Sequence, residues 1–338
     1  MAGRFIRAYH IVKKIIPAVI SAALLCSCSD NVPDRTADNE ASSQSFIFDT
    51  YAQFTVHGGE AKNTLAEIET VFGDMSGAFD LCYDMAANEL PENSLYGDCL
   101  SRTQELNRLY GSGINVFCGA LTELWGISAD SPRVPSDSEI NGVLDSIPDV
   151  FSETVSDEVK LDFGAVSKGY ACDRAFELLK ETDSEYAVIS LSSSTLMYGA
   201  KPDGKPFRTG LTNPLTGEGH AGIIETDSAF ISTSGGYERY FVPENGSGEK
   251  YCHIMDITTG RPAETDIASA TVIVPSDTPN GGIMSDFLAT MIFTEGSESL
   301  DKWLACEEFR VVVITTGGRV FSNCEGLTLD ESGVFYYE

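Results

Sequence analysis

The stretch "LDFGAVSKGYACDRAFELLK" (161–180) runs from a strand-like apolar end, through two glycines and a lone lysine, into a helix. Gly164 lets the backbone turn after Phe163, and the turn exposes the Ala165 carbonyl. Helical spacing begins near Tyr170, so Lys168 and Gly169 stand at the helix mouth. A helix N-terminus beside one lysine is a competent site for a phosphate. Working outward, "EYAVISLSS" (185–193), "AGIIETDSAFIST" (221–233), "ASATVIVPS" (268–276) and "FRVVVITTGGRVFSN" (309–323) read as strands, the last a hairpin across Gly317 and Gly318. "FIFDTYAQFTVHG" (46–58) alternates like one strand, and "AKNTLAEIETVFGDM" (61–75) has helical spacing. "VPSDSEINGVLDSI" (134–147) opens with a good helix start, and "GGIMSDFLATMIFTEG" (281–296) is an apolar helix with one acid inside. Strands in series with interspersed helices predict an α+β fold, antiparallel sheets packed with helices. No dinucleotide-binding glycine fingerprint or P-loop is present.

The first 28 residues predict an address. Arg4, Arg7, Lys13 and Lys14 form a basic segment, an apolar run follows from Ile15 to Leu25, and "LCSC" closes it. Ser27 before Cys28 resembles a bacterial lipobox, which makes Cys28 the lipidated first residue of an extracytoplasmic protein anchored to a bacterial cell membrane. The competing reading is an ordinary signal peptide with a coincidental cysteine pair. Residues 29–45 are polar and acidic and read as a flexible tether, with the folded domain at 46–338.

Net charge is −29, with 22 Lys and Arg against 51 Asp and Glu, and the four cations of the leader make the remainder more acidic still. Such a chain is a poor nucleic-acid binder, because phosphate contacts need cations. An anionic ligand has to be met by backbone amides, a metal, or a few chosen cations. The cysteines show no CxxC pair and no zinc or haem spacing; they read as small buried apolar residues.

Three places could carry chemistry. Asp286 and Thr290 stand four apart on the apolar helix and share a face. A buried acid is costly without a partner, and carboxylate, hydroxyl and carbonyl oxygens are what Mg²⁺ accepts; alternatively Asp286 borders the helix and Thr290 packs. His253 lies at a strand-like end in "YCHIMDITTGRP" (251–262), and is either a base for a hydroxyl nucleophile or a core histidine bonded to backbone. The Gly-rich end of "ISTSGGYERYF" (231–241) either groups amides for an anion or is a plain tight turn.

In order, "FDT" (48–50), "GALTELWGI" (119–127), "VPSDSEI" (134–140), "LDFGAVSKGYACD" (161–173), "FRTGLTNP" (207–214), "STSGGYERYF" (232–241), "HIMDITTGRP" (253–262) and "SDFLAT" (285–290) make the chain resemble the ApbE family, the FAD:protein FMN transferases. The resemblance runs from about Phe46 to Asn323 and implies a two-lobed single domain. It implies a Mg²⁺-dependent enzyme that takes FAD as substrate, moves FMN to a Thr or Ser hydroxyl of a target protein in a membrane redox system, and releases AMP. By the same resemblance Ala165 (through its backbone oxygen), Asp286 and Thr290 hold the metal, and Asp162, Lys168, Met255, Gly113, Ile114 and Asn115 contact FAD. His253 matches the proposed base. The departures fall on the FAD side: Ser192-Ser193-Ser194-Thr195 replaces a glycine pair, Ile257 a proline, Ala78 a tyrosine and Asn115 an aspartate. They keep two alternatives open, an FAD pyrophosphatase giving FMN and AMP and a non-catalytic flavin-binding lipoprotein.

Overall fold

The computed structural model describes residues 39–82, 94–127, 132–153, 155–156, 158–244 and 248–337. The leader and Cys28 lie outside the described residues. In chain order the elements are β1 (Glu40–Ile47), β2 (Thr50–Gly58), α1 (Ala61–Cys82), α2 (Leu95–Tyr110), α3 (Gly119–Trp125), α4 (Asp137–Leu144), α5 (Ser167–Lys180), β3 (Ser184–Leu191), β4 (Ser194–Gly199), β5 (Phe207–Thr212), β6 (His220–Thr226), β7 (Ala229–Gly235), β8 (Tyr240–Phe241), β9 (Tyr251–Cys252), β10 (Met255–Asp256), β11 (Arg261–Pro262), β12 (Ile267–Pro275), α6 (Gly281–Glu295), α7 (Leu300–Leu304), β13 (Arg310–Thr315), β14 (Arg319–Ser322), β15 (Leu327–Leu329) and β16 (Tyr336–Tyr337).

One nine-stranded sheet, ordered β1-β2-β3-β4-β7-β12-β13-β14-β16, organises the chain, and a three-stranded sheet, β15-β6-β5, stands apart from it. Pairing in the large sheet is antiparallel throughout except for the parallel β14–β16 contact. Val311, Val313, Val272, Val274 and Phe230 belong to the core shared with α1, α5 and α6, whereas Val312, Ile314, Ile273 and Ile231 belong to a second core shared with the small sheet. Both faces of the central strands are therefore covered, which is why β12 and β13 read as unbroken apolar runs rather than alternating ones. The expected α+β class holds, and its two bodies are two cores on opposite faces of one sheet.

The first strand differs from expectation. The stretch 46–58 is a hairpin, not one strand: Phe48 and Asp49 form its turn, both with positive φ (50° and 56°). The expected tether at 29–45 also ends sooner, since β1 begins at Glu40 and pairs with β2 along its whole length. At 161–163 the chain is extended but joins no sheet; it is tied to the α3 region by Asp162 N–H to the Val116 oxygen (2.8 Å) and by Gly119 N–H to the Lys160 oxygen (3.2 Å). Helix α5 starts at Ser167 rather than near Tyr170, so Lys168 and Gly169 lie in its first turn.

Helix α6 is buried from Gly281 to Phe293, packed against α5 on one side and β7 and β12 on the other. A helix apolar all round belongs in a core. The α5–α6 crossing is a glycine contact: a Cβ on Gly169 would meet the Gly282 oxygen at 2.2 Å, and one on Gly282 would meet the Gly169 oxygen at 2.3 Å. Cys99, Cys118, Cys172, Cys252, Cys306 and Cys324 are free thiols, the first four of them buried, in keeping with their reading as small apolar residues. No helix of the described residues is long and apolar enough to cross a membrane.

Candidate active site

The glycine crossing brings the first turn of α5 onto Asp286. Val166, at the α5 N-cap, has no side chain able to cap. Asp286 supplies that cap from α6: its Oδ2 accepts the Gly169 N–H at 2.9 Å, and its Oδ1 accepts the Ser194 hydroxyl of β4 at 3.3 Å. The Gly169 N–H is one of the first-turn donors that have no partner within a helix, since the first helical bond runs from Tyr170 N–H to the Val166 oxygen at 2.9 Å. Ala165 lies just before the N-cap residue Val166, at the entry to that turn. Burial pushes the Asp286 carboxyl up, while the Lys168 charge, the Gly169 amide and the Ser194 hydroxyl act the other way.

Thr290 lies one turn further along α6, buried, with its hydroxyl 3.0 Å from Ser234 Oγ on β7. Ser232, two residues earlier on the same strand face, is 2.8 Å from Ser285 Oγ. The polar lining around Asp286 is thus built of hydroxyls from β4, β7 and α6. Among the described residues no group of three or more His, Cys, Asp or Glu stands together. These side-chain donors are oxygen alone, one carboxylate with hydroxyls, a set that suits a hard cation such as Mg²⁺.

His253 follows β9, where the ladder to β8 continues through its N–H to the Arg239 oxygen at 3.1 Å. Its Nδ1 is 3.2 Å from the same carbonyl. A carbonyl can only accept, so Nδ1 carries the hydrogen and Nε2 the lone pair. Burial, then the charges of Arg239 and Lys168, lower its pKa to about 4, so the imidazole is neutral near pH 7. Lys168 links the set, its charge acting on Asp286, on His253 and on Glu238. Glu238 is exposed but ringed by enough protein that its carboxyl is pushed up.

The structure gives several expected site residues other work. Asp162 accepts Gly164 N–H on Oδ1 at 2.7 Å and the Thr122 hydroxyl on Oδ2, so it shapes the loop carrying Ala165. Asn115 caps a short 3-10 turn through Phe117 N–H (3.0 Å) and donates to the Pro148 oxygen (2.9 Å). Ile114 is buried, its backbone bracketed by the Asn107 amide at 2.7 and 3.3 Å, and Gly113 packs on Met291. The side chains of Ile114 and Asn115 thus face protein, and both backbone groups of Ile114 are taken by Asn107. Met255 is half-buried in β10, two residues from His253. The turn after it rests on α3 and α4: Trp125 Nε1 donates to the Gly260 oxygen at 2.8 Å, and Arg261 pairs with Asp137.

Sequence reasoning marked the stretches that hold Ser194, Ser234, Glu238 and Arg239 but gave these side chains no role of their own. A signal existed in "AFISTSG" (229–235), where Phe230, Ser232 and Ser234 share one strand face, two of them polar in a strand otherwise buried.

Fold and side-chain geometry together describe an α+β protein with a buried acid at a helix crossing, hydroxyls around it, and a neutral histidine under the same lysine's charge. Residues 49–314 match the ApbE family, and the chain belongs to it. It is 22% identical over 332 residues to the FAD:protein FMN transferase of Salmonella typhimurium, covering 89% of this chain and 92% of that one. It is 30% identical over 203 residues to the FAD:protein FMN transferase of Vibrio cholerae, covering 57% and 58%. The crystal structure of the ApbE protein of Thermotoga maritima superposes with a TM-score of 0.72 at 23% identity, over 83% of this chain and 96% of that one. The flavin transferase ApbE of Vibrio cholerae gives 0.66 at 21% identity, over 88% and 98%.

Proposed function

We propose that this protein is a Mg²⁺-dependent FAD:protein FMN transferase, moving FMN from FAD to a Thr or Ser hydroxyl of an extracytoplasmic target protein and releasing AMP. The observation that supports the reading is the bond from Asp286 to the first turn of α5, the turn that carries Lys168, in a member of this family. Asp286, Thr290 and the Ala165 oxygen would hold Mg²⁺. The ion, when bound, supplies positive charge against the diphosphate of FAD.

The chain's own residues account for the rest. Lys168 and the α5 amides meet phosphate charge that a protein of net charge −29 would otherwise repel. The target hydroxyl oxygen forms a bond to the FMN phosphorus as the bond from phosphorus to the AMP oxygen breaks. The hydroxyl proton passes to His253 Nε2, the nitrogen left with a lone pair by the Nδ1 bond to Arg239. Arg239 thereby fixes the tautomer, and Asp162 fixes the loop beside the cation.

Cys28 as a lipid attachment point belongs to the same proposal: it would hold the domain at the outer face of the membrane, where a membrane redox protein presents its hydroxyl. One assay tests the chemistry. The protein is mixed with FAD, Mg²⁺ and a candidate target, run on a denaturing gel and imaged for flavin fluorescence. A fluorescent target band is expected. Free FMN and AMP without a band would make it a pyrophosphatase, and unchanged FAD a binder only.

A further inference from the structure

Helix α6 carries Asp286, yet its own first turn is capped from α5. Asp173 is buried at the edge of a cavity that Arg102, Glu177 and Asn280 also line, and its Oδ1 accepts the Gly282 N–H at 2.7 Å and its Oδ2 the Ile283 N–H at 2.9 Å. Asn280, the residue at the α6 N-cap, adopts φ 57° and makes no cap with its side chain, which instead accepts from Arg102 at 2.6 Å. The two helices therefore exchange caps. Asp286 of α6 closes the α5 start and Asp173 of α5 closes the α6 start, on either side of the Gly169–Gly282 contact. Helix α6 has no charged residue before Glu295 other than Asp286, and its other side-chain ties, Ser285 to Ser232 and Thr290 to Ser234, run to β7 rather than to α5. Two bonds from adjacent amides to one carboxylate fix both the slide and the rotation of α6 on α5.

We infer that Asp173 is a positioning residue for the metal-binding carboxylate: by holding the first turn of α6 it sets where Asp286 stands relative to Gly169 and the Ala165 carbonyl. The inference rests on the metal reading for its consequence, but not for its geometry. Removing the Asp173 carboxylate frees two buried amides and lets α6 shift, so that Asp286 leaves the α5 start.

Two readouts test this on the full protein. The first is backbone amide exchange of Gly169, followed by NMR in wild type, Asp173→Ala and Asp173→Asn without metal. Loss of protection at Gly169 is expected in Asp173→Ala, with partial loss in Asp173→Asn, whose Oδ1 still accepts one amide. The second is calorimetric titration with Mg²⁺ alone. Affinity should weaken by about ten- to a hundredfold in Asp173→Ala, and less in Asp173→Asn, as for other residues that orient a ligand. A folded Asp173→Ala protein with Gly169 still protected overturns the inference, even with a lowered melting temperature. Should Asp173→Ala fail to fold, Asp173→Asn decides by the same two measurements. Wild type that binds no Mg²⁺ would defeat the metal reading, while Gly169 exchange would still judge Asp173.

Discussion

Ser192 holds φ 63° in the exposed two-residue turn between β3 and β4, a conformation that favours glycine. Ser192→Gly should therefore raise stability by about 0.5–1 kcal/mol, the relief of strain being partly offset by added freedom in the unfolded chain. A denaturant midpoint that falls would show that the serine contributes something the backbone angle conceals. His253 makes a prediction with a sign. Its pKa is about 4 in the folded protein against 6.5 for a free histidine, because burial and the Arg239 and Lys168 charges oppose protonation. Between those values the unfolded chain holds more protons than the folded one. Stability due to this group is thus intact above pH 6.5 and declines as pH falls toward 4. His253→Gln should flatten that part of the pH–stability curve, and an imidazole NMR titration should place the midpoint near 4; a midpoint near 6.5 would reject the buried, neutral assignment.

At the scale of elements, the α5–α6 crossing is the part that bears least change. Gly169→Ala sets a methyl 2.2 Å from the Gly282 oxygen and 2.6 Å from Asp286 Cβ. Neither neighbour is a flexible side-chain tip, so the helices must separate, at about 1–3 kcal/mol, and turnover should be lost with the Asp286–Gly169 bond. Gly142, inside α4 with open space around its Cβ position, is the control: Gly142→Ala should gain up to about 1 kcal/mol from helix propensity and leave turnover unchanged. Thermal unfolding and the fluorescence assay separate the two. This crossing also marks how far the sequence could be read. An apolar run with one acid inside announced α6, and Ser136 with Glu139 announced the α4 capping box that the structure contains. The Phe48–Asp49 turn was illegible because its residues are neither glycine nor asparagine and the apolar alternation runs straight through it. Strand β1 was illegible because it lies at the sheet edge, where "EASSQS" is polar on both faces. The exchange of caps between α5 and α6 left no local trace, since each acid serves amides more than a hundred residues away.

For the molecule as a whole the question is what an excess of 29 negative charges does with a divalent cation. Any cation screens such a surface, and screening rises smoothly with ionic strength without saturating. A specific site behaves otherwise: it stabilises by an amount set by its affinity, about 2.7 kcal/mol when the ion stands at a hundred times its Kd. The melting temperature of wild type should therefore climb and level off with Mg²⁺ in the presence of FAD, above the rise given by NaCl at equal ionic strength. Asp286→Asn separates the two contributions. The amide oxygen still accepts the Gly169 N–H and no longer brings a buried charge, so the variant without ligands should melt at or above the wild-type temperature. It should also lose turnover and the saturable response to Mg²⁺, keeping only the part that NaCl reproduces. A variant that is stabler and inactive would show that the fold tolerates this carboxylate for the sake of the cation. One that still levels off with Mg²⁺ as wild type does would move the metal away from α6.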